Sequence, residues 1–351
     1  MRIIAVIGLG FGDEGKGQTV SNICRNFEPY NTLVVRFNGG HQAGHTVIYN
    51  GKKHVFANFG SGTLQGFSTY FSEFCTIDPI GIYNETQVLK QQGINNPVLY
   101  INPKCPVVTP YDKKVNQHNG RNLNHGTVGV GFGTTIEREE DHYSILVEDL
   151  FFPSVLKTKL GLLSFHYLQN ANLFDFYKAI DFMRYECDCR VPVSGLETGF
   201  ENFILEGAQG LLLDQNYGFF PHVTRSNTGS KNIQKLFPEK DIEFYLVTRA
   251  YQTRHGNGPM TNENIPHKIE LSKNETNVFN NYQGHFRYSL LDVDLLNYGI
   301  CKDELIKVSK KKFVITCLNA VKNDYRFTSG GKIINCKDKK DFIKKVIYFL
   351  K

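Results

Sequence analysis

The chain has 351 residues, 41% of them hydrophobic, enough for a large core in one elaborated domain or two, and no apolar run approaches the ~20 residues that cross a bilayer. The formal net charge of +6 is modest and unclustered outside a lysine-rich tail; it suits phosphorylated small substrates and argues against a nucleic-acid binder, which carries a denser basic stripe. Eight scattered cysteines without a C-x-x-C pair, and a Met1 that leads straight into an apolar segment, predict reduced thiols in a cytoplasmic protein with neither leader nor zinc.

Ile3 to Ile7 is an apolar run bounded by glycine, as in a buried parallel strand. Gly10 to Lys16 then fits the G-x-x-x-x-G-K half of a phosphate-binding loop, whose backbone N–H groups can face a phosphate. The fit stops at Gly17, where such loops carry Ser or Thr for magnesium. Asp13 sits inside the loop instead, a hard oxygen suited to Mg²⁺ or to taking a proton. A helix is predicted over 19–26, with its N-terminus toward the phosphate. Thr32 to Phe37 reads as a second strand, running into Asn38-Gly39-Gly40-His41-Gln42-Ala43-Gly44-His45. Two histidines among glycines at a strand's end mark a second ligand loop, with His45 the stronger functional candidate.

Residues 47–125 mix short strands and turns and say less. Gly126 to Gly133 is a third glycine cluster, and 151–200 reads as mostly helical from the spacing of Leu156, Leu160 and Leu163. Three more apolar runs each end in polar or glycine-rich residues: Phe203–Leu205, Phe244–Val247 and Phe313–Ile315. The pattern of apolar run followed by ligand-type loop therefore occurs five times. In an open α/β sheet, ligands bind beyond the carboxyl ends of the strands, so these loops are expected to converge on one crevice. The expected fold is α/β: a central, mostly parallel sheet flanked by helices, with the P-loop-like turn after the first strand. The tail, 338–351, reads as an amphipathic lysine-rich helix.

Five segments in order resemble the adenylosuccinate synthetase family: Gly12-Asp13-Glu14-Gly15-Lys16-Gly17, Gly39-Gly40-His41-x-Ala43-Gly44-His45-Thr46, Glu206-Gly207-Ala208-Gln209-Gly210-x-Leu212-Leu213-Asp214, Val223-Thr224-x-Ser226-Asn227-Thr228 and Thr253-Arg254-x-Gly256-x-Gly258-Pro259. The spacing holds along nearly the whole of residues 1–351, read as a single elaborated domain of the family's compact form. The resemblance implies a ligase that joins L-aspartate to C6 of a 6-oxopurine nucleotide, usually IMP, with hydrolysis of a nucleoside triphosphate. Asp13 would take the N1 proton, so that O6 attacks the γ-phosphate. His45 would donate to O6, and Lys16 would neutralise phosphate charge. Mg²⁺ would lie near Asp13 and the Gly44 carbonyl. The triphosphate would be held by Gly12, Glu14, Gly15, Lys16 and Gly17, with Asn319, Ser329, Gly330 and Gly331 at its base. The purine nucleotide would meet Asp13, Gln42, Thr127, Val128, Gln209, Thr224 and Arg254. Gly284 and Arg287 stand where the family has its arginine-rich aspartate loop, and arginine suits a carboxylate. Partners are thus the acceptor nucleotide, L-aspartate and GTP or ATP, with no nucleic acid and no membrane, in a homodimer.

Three positions depart from the family pattern. Its base-reading Thr-Lys-Leu-Asp appears as Thr316-Cys317-Leu318-Asn319. An uncharged Asn319 forfeits a charge-assisted bond to guanine of about 1.5–3 kcal/mol, so preference for GTP falls and ATP becomes a candidate donor. Thr127-Val128 replaces a Thr-Thr pair, and His142 falls where an arginine reaches across the dimer, with Arg138 the nearest arginine. The thinned arginine cluster relaxes selection for a 2′-hydroxyl. A neighbouring phage branch condenses aspartate with dGMP using ATP. Asn319 and the missing arginines fit it, whereas Asp13 fits IMP. A GTPase-like switch would want a hydroxyl after Lys16 and an acid at 319. A Rossmann dehydrogenase would want an acid after the second strand, where Asn38 stands.

Overall fold

The computed structural model describes residues 1–118, 127–192, 196, 199–273, 275–277, 279 and 282–350. Gly126, the first residue of the third glycine cluster, lies outside them. Eight strands form the central sheet: β1 (Arg2–Gly8), β2 (Thr32–Arg36), β5 (Ser68–Phe71), β6 (Leu99–Ile101), β7 (Cys189–Arg190), β8 (Asn202–Gly210), β9 (Glu243–Arg249) and β12 (Lys311–Thr316). Their order is β12-β9-β1-β8-β2-β5-β6-β7, and every neighbouring pair is parallel. The five strands whose ends carry ligand-type residues are the five contiguous ones, β12, β9, β1, β8 and β2. The expected convergence follows from that adjacency.

Burial on both faces explains the unbroken apolar runs. Ile3, Ala5 and Ile7 of β1 pack into one core with Leu33, Val35, Leu205, Phe244 and Leu246. Ile4 and Val6 point the other way, onto Val20 and Ile23 of helix α1 (Lys16–Cys24) and onto Val34, Ile204 and Val247. This two-residue alternation is the strand period. Each of the larger of these side chains, the Ile, Val, Leu and Phe, contributes about 1.5–3 kcal/mol on burial. A third core lies under the far half of the sheet, where helices Pro153–His166 and Phe174–Tyr185 contribute Leu156, Leu160, Leu163, Phe176 and Ile180.

Two smaller sheets complete the scaffold. β3 (His45–Tyr49) and β4 (Lys52–Phe56) form an antiparallel hairpin that begins at His45. β10 (Tyr251–His255), β11 (Phe286–Asp292), β13 (Arg326–Ser329) and β14 (Lys332–Asn335) form a four-stranded sheet. Several expected boundaries shift. Helix α1 begins at Lys16, not at position 19, so the loop passes into it without a linker. The Glu206–Gly210 segment, expected as a loop, is the last part of β8. Thr253-Arg254 and Arg287, also expected in loops, lie in β10 and β11, whose pairing absorbs their backbone groups. The tail forms the helix Lys339–Phe349, with Phe342 and Val346 buried.

Candidate active site

The loop between β1 and α1 folds around one of its own side chains. Glu14 is 3% exposed, and its carboxylate accepts from Gly10 N (3.0 Å), Gly12 N (2.9 Å) and Lys16 Nζ (2.6 Å). Amides expected to face a phosphate thus face Glu14, beside Gly15 and Gly17 at the head of α1. Two other strand ends brace the loop: Arg249 Nε donates to Asp13 O at 2.6 Å, and Thr316 Oγ1 donates to Glu14 O at 2.7 Å. The Asp13 carboxylate has no hydrogen bond or ion pair among the described residues. Burial raises its pKa above the usual aspartate value, while the charges of Arg249 and Lys16 pull it down.

His45 opens β3 and is buried. Its Nδ1 lies 2.5 Å from Glu206 Oε1. Glu206 also accepts from Ser61 N at 2.9 Å and from Ser61 Oγ. Burial works to raise the Glu206 carboxyl, but the charge and hydrogen bond of His45, the Arg36 charge and Ser61 hold it down to about 2. An ionised Glu206 can only accept, so His45 carries its proton on Nδ1. Nε2 is left buried without a protein partner. Burial first, and then Arg36, lower the His45 pKa, against the pull of Glu206. His45 can therefore donate from Nε2 only as an imidazolium, a condition the sequence does not reveal. The charge of Lys16 acts on both Asp13 and His45.

More unpartnered polar atoms gather around Gly39 and Gly40. Gln42 Nε2 and Oε1, Gln209 Oε1 and Thr76 Oγ1 are buried without partners. A Cβ placed on Gly39 or Gly40 would come within 3.5 Å of each of these four atoms. His41 Nε2 donates to Val130 O at 3.0 Å, which joins this loop to the Thr127–Gly131 segment. Ser226 Oγ accepts from Gly39 N at 3.2 Å, which brings in the segment of Thr224. Buried polar atoms left unpaired cost about 1–3 kcal/mol each, so this cradle is built for a polar ligand.

Other expected residues are placed differently. Thr127 Oγ1 donates to Asn116 Oδ1, and Thr224 N donates to Leu213 O. Val128 sits in the turn before helix Phe132–Glu140. Arg254 is 3% exposed and donates to the carbonyls of Asn257, Pro259 and His222; burial, then the Arg287 charge, lower its pKa to about 10. Arg287 donates to the carbonyls of Gly256 and Gly258 and pairs with Glu263. Gly284 O accepts from His255 Nε2. Asn319 is exposed in the turn after β12, three residues beyond Thr316. Ser329, Gly330 and Gly331 close the β13–β14 turn against Asp294. Arg138, the nearest arginine to the expected cross-dimer position, is 1% exposed and bonds Asp112, Glu139, Val107 O and Tyr143 O. It is committed inside its own chain.

Sequence reasoning missed Glu206, Arg36, Ser61 and Arg249 as site residues. Glu206 stood within a quoted motif, and Arg36 and Arg249 each end a motif strand, so a charge closing a buried strand was the available signal. Among the described residues no three His, Cys, Asp or Glu side chains gather to hold a metal ion. The unpartnered Asp13 carboxylate offers one hard oxygen to a cation that takes its remaining ligands from phosphate and water.

A family model described as adenylosuccinate synthetase matches residues 5–334. The adenylosuccinate synthetase of Pseudomonas syringae pv. syringae is 33% identical over 287 residues, covering 74% of this chain and 65% of that protein. That of Pasteurella multocida is 31% identical over 285 residues, covering 74% and 64%. The chain thus spans about 65% of the length of the curated relatives it matches. Fully ligated adenylosuccinate synthetase from Plasmodium falciparum superposes with a TM-score of 0.69 at 19% identity, over 98% of this chain and 86% of that one. Cyanophage S-2L succinoaminodeoxyadenylate synthetase (PurZ), solved bound to dGMP and dATP as an energy donor, superposes at 0.61 with 13% identity, over 99% of each chain. At those identities the two structures speak to the fold. The family match over residues 5–334 establishes that this chain belongs to the adenylosuccinate synthetase family.

Proposed function

We propose that this chain is a ligase joining the amine of L-aspartate to C6 of a 6-oxopurine nucleotide, with IMP ranked ahead of dGMP. The observation that carries the reading is a pair of unpartnered groups, the Asp13 carboxylate and His45 Nε2, both under the charge of Lys16. Asp13 accepts the N1 proton. The freed O6 attacks the γ-phosphorus and the nucleoside diphosphate leaves. The aspartate amine then adds at C6 and loses a proton as inorganic phosphate departs. Held by Glu206 at Nδ1, His45 donates from Nε2 as charge builds on O6. Glu14 releases Lys16 or shares it with the phosphates. Asp13 and the Gly44 carbonyl would hold Mg²⁺, which supplies charge neutralisation on the phosphate oxygens. Gln42, Gln209 and Thr224 hold the acceptor, Arg287 takes a carboxylate of aspartate, and Asn319 faces the donor base. The working unit is a cytoplasmic homodimer, in which each chain is one elaborated domain.

A second reading, dGMP with ATP, is favoured by one observation: Asn319 brings no charge to the base site. One matrix tests both. IMP, GMP, dGMP and dIMP are crossed with ATP, GTP and dATP in the presence of aspartate and Mg²⁺, and products are read by mass spectrometry. Succinylated product from IMP above all others supports the first reading. Product from dGMP alone replaces it with the second, and no aspartate adduct from any pair defeats both.

A further inference from the structure

The four-stranded sheet sets two arginines opposite each other, Arg254 on β10 and Arg287 on β11. Arg254 is closed off, because all three of its guanidinium nitrogens donate to backbone carbonyls. Arg287 is about a quarter exposed. Its Nε and Nη2 are likewise spent on the carbonyls of Gly256 (3.0 Å) and Gly258 (2.7 Å). That leaves Nη1, and Nη1 reaches both carboxylate oxygens of Glu263, at 2.9 and 3.0 Å. Glu263 is itself exposed, in the segment between the two strands. The one nitrogen of the arginine pair not fixed to backbone is thus capped by a carboxylate of the chain itself.

We infer that Glu263 is a specificity-determining residue, an internal carboxylate that the acidic substrate must displace to reach Arg287 Nη1. The inference rests on the reading above in which Arg287 receives a carboxylate of aspartate. Entering substrate and departing glutamate make the same kind of bond, so a single carboxylate gains little by the exchange. A dicarboxylate with a second anchor elsewhere gains more, so Glu263 selects for the doubly charged amino acid. A tethered competitor acts at an effective concentration set by its short linker. Exposed ion pairs of this kind are weak, so the competition raises the KM for aspartate by about two- to fivefold.

Steady-state kinetics on the full chain decide it, using the wild type, Glu263→Gln and Arg287→Leu with aspartate varied. Glu263→Gln is expected to lower the KM for aspartate about two- to fivefold and to leave the KM for the purine nucleotide in place. Arg287→Leu is expected to raise the KM for aspartate at least about tenfold, the scale of a lost charged hydrogen bond. If Arg287→Leu leaves that KM unchanged, the assignment of Arg287 falls and the inference with it. If Arg287→Leu raises it while Glu263→Gln raises it or does nothing, Glu263 supports Arg287 and only the inference falls. Circular dichroism and melting of Glu263→Gln check that the exposed substitution leaves the fold intact.

Discussion

Position 17 shows why this loop is not an ordinary phosphate-binding loop. A Cβ added at Gly17 would come 2.7 Å from His45 Cβ and 2.8 Å from Ser61 Oγ. The magnesium hydroxyl of such loops has no room here, because His45 and Ser61 occupy the space. Gly17→Ser should therefore displace His45 and cut turnover at least about tenfold, with far-UV circular dichroism unchanged; near-normal kcat would show that the approach can relax at no cost. Glu206 carries a second expectation. Its carboxyl is held at about 2, below the ordinary glutamate value, so it adds stability that is complete above about pH 4.5 and is lost as pH falls toward 2. Urea titrations across that window should show a steep loss for the wild type and a shallower one for Glu206→Gln. The same variant should lower kcat by about 10²-fold, since it removes the charge that stabilises the imidazolium; parallel pH curves and an unchanged kcat would contradict both roles. His45→Ala should cost about 10²–10³-fold in kcat, and a change confined to the nucleotide KM would make His45 a binding residue.

At the scale of elements, the sequence was most readable where an apolar run meets glycine or polar residues. β1, β2, β8, β9 and β12 were all visible that way. What could not be read was where each strand stops. β8 runs on through Gly210 because β1 still pairs with it there, and β9 through Arg249 because β12 does; polar side chains do not prevent that. Arg254 and Arg287 looked like loop residues for the same reason: only the β10–β11 ladder, built from segments far apart in sequence, makes them strand residues. The β3–β4 hairpin carries its own sequence signal. Asn50-Gly51, both at positive φ, is the two-residue turn that joins them. Bracing between elements implies a test. Arg249→Gln removes the grip of β9 on the Asp13 carbonyl, so the KM for the triphosphate should rise several-fold with little change in melting temperature; an unchanged KM would mean that the loop holds itself through Glu14 alone.

For the whole molecule, the candidate site is distributed over five strand ends, and sheet order brings them together. The candidate site was legible in its motifs because glycines, Asp13, Lys16 and His45 are identifiable one by one. Its electrostatics were not, because the pairing of Glu206 with His45 spans 161 residues of chain and the self-occupation of the loop by Glu14 depends on its backbone path. Arg138 is locked within its own chain, so any contact across a homodimer must use another residue. Active enzyme should sediment as a dimer, and full activity from a monomer at high dilution would refute the assembly. In the proposed reaction Asp13 and His45 act together on one purine carbonyl. Phosphate release from the triphosphate, measured with each substrate omitted in turn for the wild type and for Asp13→Ala, tests it most directly. Release is expected only when a 6-oxopurine monophosphate and aspartate are both present, and none from the folded Asp13→Ala protein. Release without aspartate, or near-normal turnover by Asp13→Ala, would contradict it.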